Sequence, residues 1–359
     1  MNEPAYLLLE DGTLFHGTSF GAPLAGAVGE TCFWTGMTDY QETISDPALS
    51  GKILVLTHPG VGNVGVNARD LSSDKPRIRA LIVREASSLA SNYRSEESLG
   101  DYLIRHGIPA LTDIDTRALT LHIRESGPLR GIVGSGDPKG LESMFQSESA
   151  PAELPLLEEP VEWTEGSGEW RRGEDRSGEG LRIGVLDWGA RRELLRLIVD
   201  TGASVVRIPM SASEDTIRSL EIDGLILPNG ALEPLLKSAS LIDGIGALIG
   251  KKPLLGIESG ALILGSALGL QIGPLKAGRR GPNHTVRELD SGALLTTTQN
   301  HGHRIESETL PPGLEITHRH LHGGDIQGFR DTEKKLLGIQ FSPERTDDPT
   351  LRTYYSWLR

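Results

Sequence analysis

Leu254-Leu255-Gly256-Ile257-Glu258-Ser259-Gly260-Ala261-Leu262 joins a strand pattern to a helix pattern across two glycines. Pro253 to Ile257 is a short apolar run of strand type, and Gly260 to Leu268 carries the apolar spacing of a helix. Gly256 and Gly260 stand two positions on either side of Glu258. Such spacing permits a tight strand-to-helix elbow, which would present the central side chain at the edge of a sheet. The same alternation extends outward in both directions. Arg182–Leu186, Ser204–Ile208 and Gly224–Leu227 read as strands, whereas 191–201, 213–220 and 241–249 read as helices. Repeated strand–helix units with short connections imply α/β architecture with a doubly wound, mostly parallel sheet over residues 182–359. Ligand sites in such sheets lie beyond the carboxyl ends of strands, which selects the loops after Leu186, Leu227 and Ile257.

Residues 1–136 read differently, as a β/α domain of short strands and turns. Tyr6–Leu9, the turn Glu10-Asp11-Gly12 and Thr13-Leu14-Phe15 form a hairpin signature. Ile53–Thr57 and Arg79–Val83 are apolar strand runs, and 98–106 and 115–125 have helical spacing. Between the two regions, 137–181 is rich in Glu, Pro, Gly and Ser and reads as an exposed linker, pinned in places by Trp163 and Trp170. A length of 359 residues accommodates two domains, and 37% hydrophobic residues suffice for their cores. The net charge of −13 argues against nucleic acid or an anionic membrane surface as partner. The one cysteine, Cys32, excludes an internal disulfide framework and is expected in the core. The longest uncharged stretch, Gly12 to Gly29, is broken by glycines and Pro23, so no membrane span fits there. Met1-Asn2-Glu3-Pro4 lacks a signal-peptide pattern, and a cytoplasmic protein is expected.

In an elbow enzyme the residue at position 258 would be the nucleophile. Here it is a carboxylate, which the helix N-terminus stabilises as an anion and so weakens as base or nucleophile. Ser259 is out of phase, because Ile257 and Ala261 occupy its flanking positions. Two other patterns invite a site. His318, His320 and His322 alternate, as do His301 and His303, so each set would share one strand face. That pattern is read as a polar, exposed strand face in preference to a metal site. Gly60-Val61-Gly62-Asn63-Val64-Gly65 lacks the Lys-Ser/Thr of a phosphate loop and is read as a tight backbone turn.

Several unusual runs in order resemble the small subunit of carbamoyl phosphate synthetase along nearly the whole chain. They are Gly29-Glu30 with 35–42 and Asp46-Pro47, then Gly62-Asn63 with Gly65, then 113–120 and Trp163-Thr164-Glu165-Gly166. Asp187-Trp188-Gly189-Ala190-Arg191-Arg192 and Thr298-Gln299-Asn300-His301-Gly302 complete the match. The resemblance implies a C-terminal class I glutamine amidotransferase domain with a Cys-His-Glu triad. This chain departs from that pattern at its centre. Glu258 replaces the nucleophilic Cys of Gly-Ile-Cys-Leu-Gly-His-Gln, and Ala261 and Leu262 replace the His and Gln. Ser342 replaces the general-base His, while Glu344 is retained. The Asn-Gly-Pro-Gly-Asp-Pro loop reads 229–234 with Leu232 at the oxyanion glycine, and the serine that contacts glutamine is Ala48. Gly230, Asn300 and Gly302 remain as remnants of substrate binding. Amide hydrolysis by this route needs a thiolate, a partnered imidazole and oxyanion donors, and the glutaminase is expected to be lost.

The resemblance further implies a large-subunit partner. ATP and Mg would belong to that subunit, and no cofactor or metal is expected in this chain. Carbamoyl phosphate formation from free ammonia, serving arginine or pyrimidine synthesis, is the expected role. The alternative is a free-standing binding or regulatory protein that reuses an emptied glutamine pocket. Residual enzyme activity through Glu258 or Glu344 is a third reading.

Overall fold

The computed structural model describes residues 3–24, 26–146, 152–154, 157–306 and 310–359. Part of the expected linker, 147–151 and 155–156, lies outside the described residues, as do Met1 and Asn2. The chain divides into two units, one of Met1–Glu153 with Leu275–Gly281, the other of Leu154–Pro274 with Pro282–Arg359. Among the described residues no helix is long and apolar enough to cross a membrane.

The first unit is a closed barrel of seven strands. Its sequence order is Pro4–Leu9, Leu14–Gly21, Ala27–Trp34, Ile53–Leu56, Ala80–Val83, Pro109–Thr112 and Leu129–Gly134. Around the barrel these run first, second, sixth, fifth, fourth, third, seventh, and the seventh pairs back with the first. Closure removes the exposed edges that a small sheet would otherwise leave. The expected hairpin forms with Leu8 opposite Leu14. Both expected helices are present, Leu99–Arg105 capped by Ser98 and Thr116–Ser126 capped by Asp115 and stopped at Gly127. Cys32 is buried on its strand, as expected of a core residue. The loop 60–65 makes two successive turns, with Asn63 N–H donating to Gly60 O and Gly65 N–H to Gly62 O. Gly60, Gly62 and Gly65 all have positive φ, which is why three glycines cluster there.

The second unit is built on a ten-stranded sheet. Its middle is five parallel strands in the order Leu336–Ile339, Leu254–Ile257, Gly224–Leu227, Arg182–Asp187, Ser204–Pro209. Antiparallel strands extend it past Leu336–Ile339, and Val161–Trp163 adds an antiparallel edge to Ser204–Pro209. Helices cover both faces, so alternate residues of each central strand enter different cores. Leu254 packs among Leu225, Leu262 and Ile263, whereas Leu255 packs with Ile183, Ile198 and Tyr354. Burial on both faces explains runs such as Leu254-Leu255-Gly256-Ile257, which are apolar without alternation. Trp163 anchors the former linker as expected, with Arg207 over its ring and Glu165 paired to Arg196 at 2.7 Å. Trp170 stays about half exposed.

The histidine pattern is corrected. A bulge between Ile316 and Arg319 breaks the simple alternation along Glu315–His320, and His322 falls in the following turn. His318 and His320 are buried, not exposed: His318 packs edge-on against Phe341 and His320 lies 5.8 Å from the ring of His284. Among the described residues no group of three or more His, Cys, Asp or Glu could hold a metal ion. Burial holds the His318 imidazole below its ordinary pKa, with Arg330 acting in the same sense and Glu288 and Asp290 opposing. The native ring therefore stays neutral at a pH where the unfolded chain, with an ordinary value of about 6.5, binds a proton. The stability this group contributes is complete above that value and is lost as pH falls through it toward the folded pKa. We expect this group to cost up to about 1.4 kcal/mol per pH unit in that window. In urea unfolding at about pH 7.5 and about pH 5.5, His318→Gln should lose less stability on acidification than the unmodified chain. An equal loss in both would remove His318 from the account.

Candidate functional site

The elbow forms where the sequence places it. Glu258 ends the strand Leu254–Ile257 and caps the helix Ser259–Ala267 with φ +52° and ψ −111°. A positive φ is uncommon outside glycine and is tolerated where the surroundings over-determine it. Here the Glu258 N–H donates to Ile339 O at 2.7 Å, and its own carbonyl accepts from Ala261 N–H at 3.1 Å. The flanking glycines answer to close approach. A Cβ on Gly260 would collide with the carbonyl of Leu227, and one on Gly256 would lie 2.7 Å from Ala261 Cα.

One expectation fails: the Glu258 side chain is not presented at the sheet's edge but is fully buried. Its carboxylate is held by side chains from three other loops. One oxygen accepts from Asn229 Nδ2 and the other from the Ser342 hydroxyl. Arg191 lies 3.3 Å from that second oxygen and donates to Ser342 Oγ as well. Asn229 Oδ1 accepts from Ser259 N–H at 3.3 Å, which turns its amide nitrogen toward the carboxylate. The anion is thus balanced by a guanidinium and neutral donors, without a side-chain bond to its own helix terminus.

Each donor is positioned by its loop. Asp187 accepts from Gly189 N–H and Ala190 N–H, both at 2.9 Å, and pairs with Arg207 at 2.6 Å, shaping the turn that carries Arg191. Trp188 is fully buried and donates to Pro228 O at 3.0 Å, tying that turn to the loop of Asn229. Gly230 lies against Trp188, where a Cβ would sit 2.6 Å from Cδ1. Leu232, at the expected oxyanion-glycine position, is buried in the apolar core. Ser342 bridges to Thr298 of the strand Leu294–Ile305.

Among the residues singled out from sequence, Glu258 and Ser342 come together. Glu344 does not join them: its side chain is about half exposed, accepts from Thr298 Oγ1 and lies 3.5 Å from Arg172 Nη1. Asn300 and Gly302 sit on the strand Leu294–Ile305, Asn300 buried and Gly302 half-buried. Ser259 is buried at the first turn of the elbow helix. Ala48 belongs to the first unit, in the short turn Pro47–Leu49. Sequence reasoning missed Arg191 and Asn229, although both lie in loops that the strand topology had selected. Charge balance was the available signal, since a carboxylate beside an apolar sheet needs a cation.

The family comparisons agree with this architecture. Residues 7–133 match the carbamoyl-phosphate synthase small chain CPSase domain, and residues 185–356 match glutamine amidotransferase class-I. A carbamoyl phosphate synthase small chain of Photorhabdus laumondii is 38% identical over 97% of this chain and 93% of its own length. That of Symbiobacterium thermophilum is 38% identical over 96% and 95%, and that of Escherichia coli K12 36% identical over 97% and 94%. With an amidotransferase sheet, its strand-to-helix elbow and full-length similarity of this order, the chain belongs to the carbamoyl phosphate synthase small chain family.

Proposed function

We propose that this chain is a small subunit without glutaminase activity of its own, which docks on a synthetase large subunit and supports carbamoyl phosphate formation from free ammonia. The observation that carries the reading is the buried Glu258 carboxylate at the elbow, neutralised by Arg191 and bonded to Ser342 and Asn229. A carboxylate bonded to Asn229, Ser342 and Arg191 has no thiolate to offer, and a fixed anion there opposes a developing oxyanion. The retained Glu344 is engaged with Thr298 and Arg172. The large-subunit partner follows from the family, whose members named above are described as small chains of the synthase. ATP and Mg are assigned to that partner, and a cytoplasmic setting is assumed with it. The three-part division 1–136, 137–181 and 182–359 is kept as the functional division of the chain.

Co-expression with a large subunit tests this reading. The two chains should elute together in size-exclusion chromatography, with an interface of about 1,600 Å² or more. The complex should make carbamoyl phosphate with ammonia and show no rate with glutamine. Ammonia release from glutamine above a heat-killed control overturns the loss of glutaminase. Separate elution at micromolar concentration overturns the subunit role and favours a free-standing binding protein.

A further inference from the structure

We propose that Glu258 acts as a built-in ligand, its carboxylate filling a cradle of Arg191, Asn229 and Ser342 that takes a small monocarboxylate once that side chain is shortened. The inference rests on the reading of Glu258 as a non-catalytic group and adds what the group does instead. The donor set is that of a carboxylate site. One oxygen faces an amide N–H whose orientation is fixed from behind by Ser259 N–H, and the other faces a hydroxyl and a guanidinium. Ser342 gives its one proton to the carboxylate and accepts from Arg191, so the hydroxyl acts once as donor and once as acceptor. Asp187, in the turn that carries Arg191, accepts from two backbone N–H groups and pairs with Arg207.

The cradle also joins what chain topology leaves separate. Arg191 follows the strand Arg182–Asp187, Asn229 follows Gly224–Leu227, Ser342 follows Leu336–Ile339, and Glu258 follows Leu254–Ile257. Four loops at the carboxyl ends of adjacent parallel strands are cross-linked through one anion. In a binding protein a ligand orders such loops when it arrives. Here the ordering group is covalently attached, so no association entropy opposes it.

The test uses the full chain and two truncations that remove different lengths of the side chain. Glu258→Ala deletes the equivalent of acetate and Glu258→Gly that of propionate, and glycine suits the positive φ at this position. Both variants should melt roughly 6–12 °C below the unmodified chain, as expected when a buried ion pair loses one partner. At matched ionic strength, acetate should raise the melting temperature of Glu258→Ala by about 3 °C or more at ten times its dissociation constant, saturably, relative to chloride. Glu258→Gly should respond to propionate as well. The bulky pivalate should act no differently from chloride, and adding Arg191→Ala to Glu258→Ala should abolish the acetate response.

Equal responses to acetate, pivalate and chloride overturn the proposal, as does an equal acetate response from the unmodified chain. Failure of both truncations to fold even in acetate and propionate overturns it too, because a filled cradle should support the fold. None of these outcomes bears on glutamine hydrolysis, which is read separately by ammonia release.

Discussion

Arg191→Met is expected to lower stability by about 3–5 kcal/mol, because it leaves a buried carboxylate without its cation. Glu258 is fully buried and the Arg191 side chain is 17% exposed, so water reaches this pair poorly and screens it little. Ser342 and Asn229 continue to donate to the carboxylate, which places the loss toward the lower end of that range. The double variant Arg191→Met/Glu258→Leu should recover much of the loss, since replacing both members of a buried pair by apolar groups is often neutral or stabilising. Urea unfolding of the four chains closes the cycle and isolates the pairwise coupling. A loss below about 1 kcal/mol for Arg191→Met, with additive single effects, would show that the pair behaves as a surface salt bridge does.

Restoring the two missing catalytic side chains should restore very little catalysis. Glu258→Cys with Ser342→His supplies a thiol and an imidazole, yet the surroundings were built for an anion. Arg191 would face the imidazole of the new His and oppose its protonation in the general-base step. Glu344, which would have to orient that imidazole, is drawn to Thr298 and Arg172. Leu232 fills its position with a core side chain, where the family pattern has a glycine whose backbone faces the oxyanion. Catalysis depends on reacting groups held in near-attack geometry, and loss of a positioned set is worth several orders of magnitude in rate. We therefore expect glutamine turnover by the double variant in the co-expressed complex to stay at least about 1,000-fold below that of a small chain with an intact triad. Turnover within tenfold of such a chain would mean that the pocket is far better preserved than the geometry indicates.

The loss of chemistry was legible at single positions, because a carboxylate cannot replace a thiolate and Ser342 cannot replace an imidazole. The replacement network was not legible in the same way. Arg191 and Asn229 are separated by 38 positions and Ser342 lies another 113 beyond Asn229, so no local pattern links them. Their convergence follows from adjacent parallel strands ending at the same edge of the sheet. Elbow glycines expose the central residue, so the spacing predicts a presented side chain at Glu258. Three other loops closing over it reverse that outcome. His318 and His320 were misread for a related reason, since a period of two specifies which residues share a face but not whether that face is covered.

Much of the strand–helix order was legible in the residues alone, although the strands Ala27–Trp34, Pro109–Thr112, Leu129–Gly134, Ile272–Glu288, Leu294–Ile305 and Leu336–Ile339 were not. Strands buried on both faces must be continuously apolar, capped helices begin at Ser98, Asp115 and Ser213, and Gly256 and Gly260 are the residues that let a strand turn into a helix within a few positions. Those are local consequences of backbone sterics, hydrogen bonding and apolar burial, which act over a few residues and leave a readable pattern. Barrel closure in the first unit, the engagement of Glu344 by Thr298 and Arg172, and the burial of Glu258 against Arg191 emerge only in three dimensions. Each of those depends on which distant loops meet. The energy of a buried charge is set by the groups within a few ångströms in space, whatever their distance along the chain.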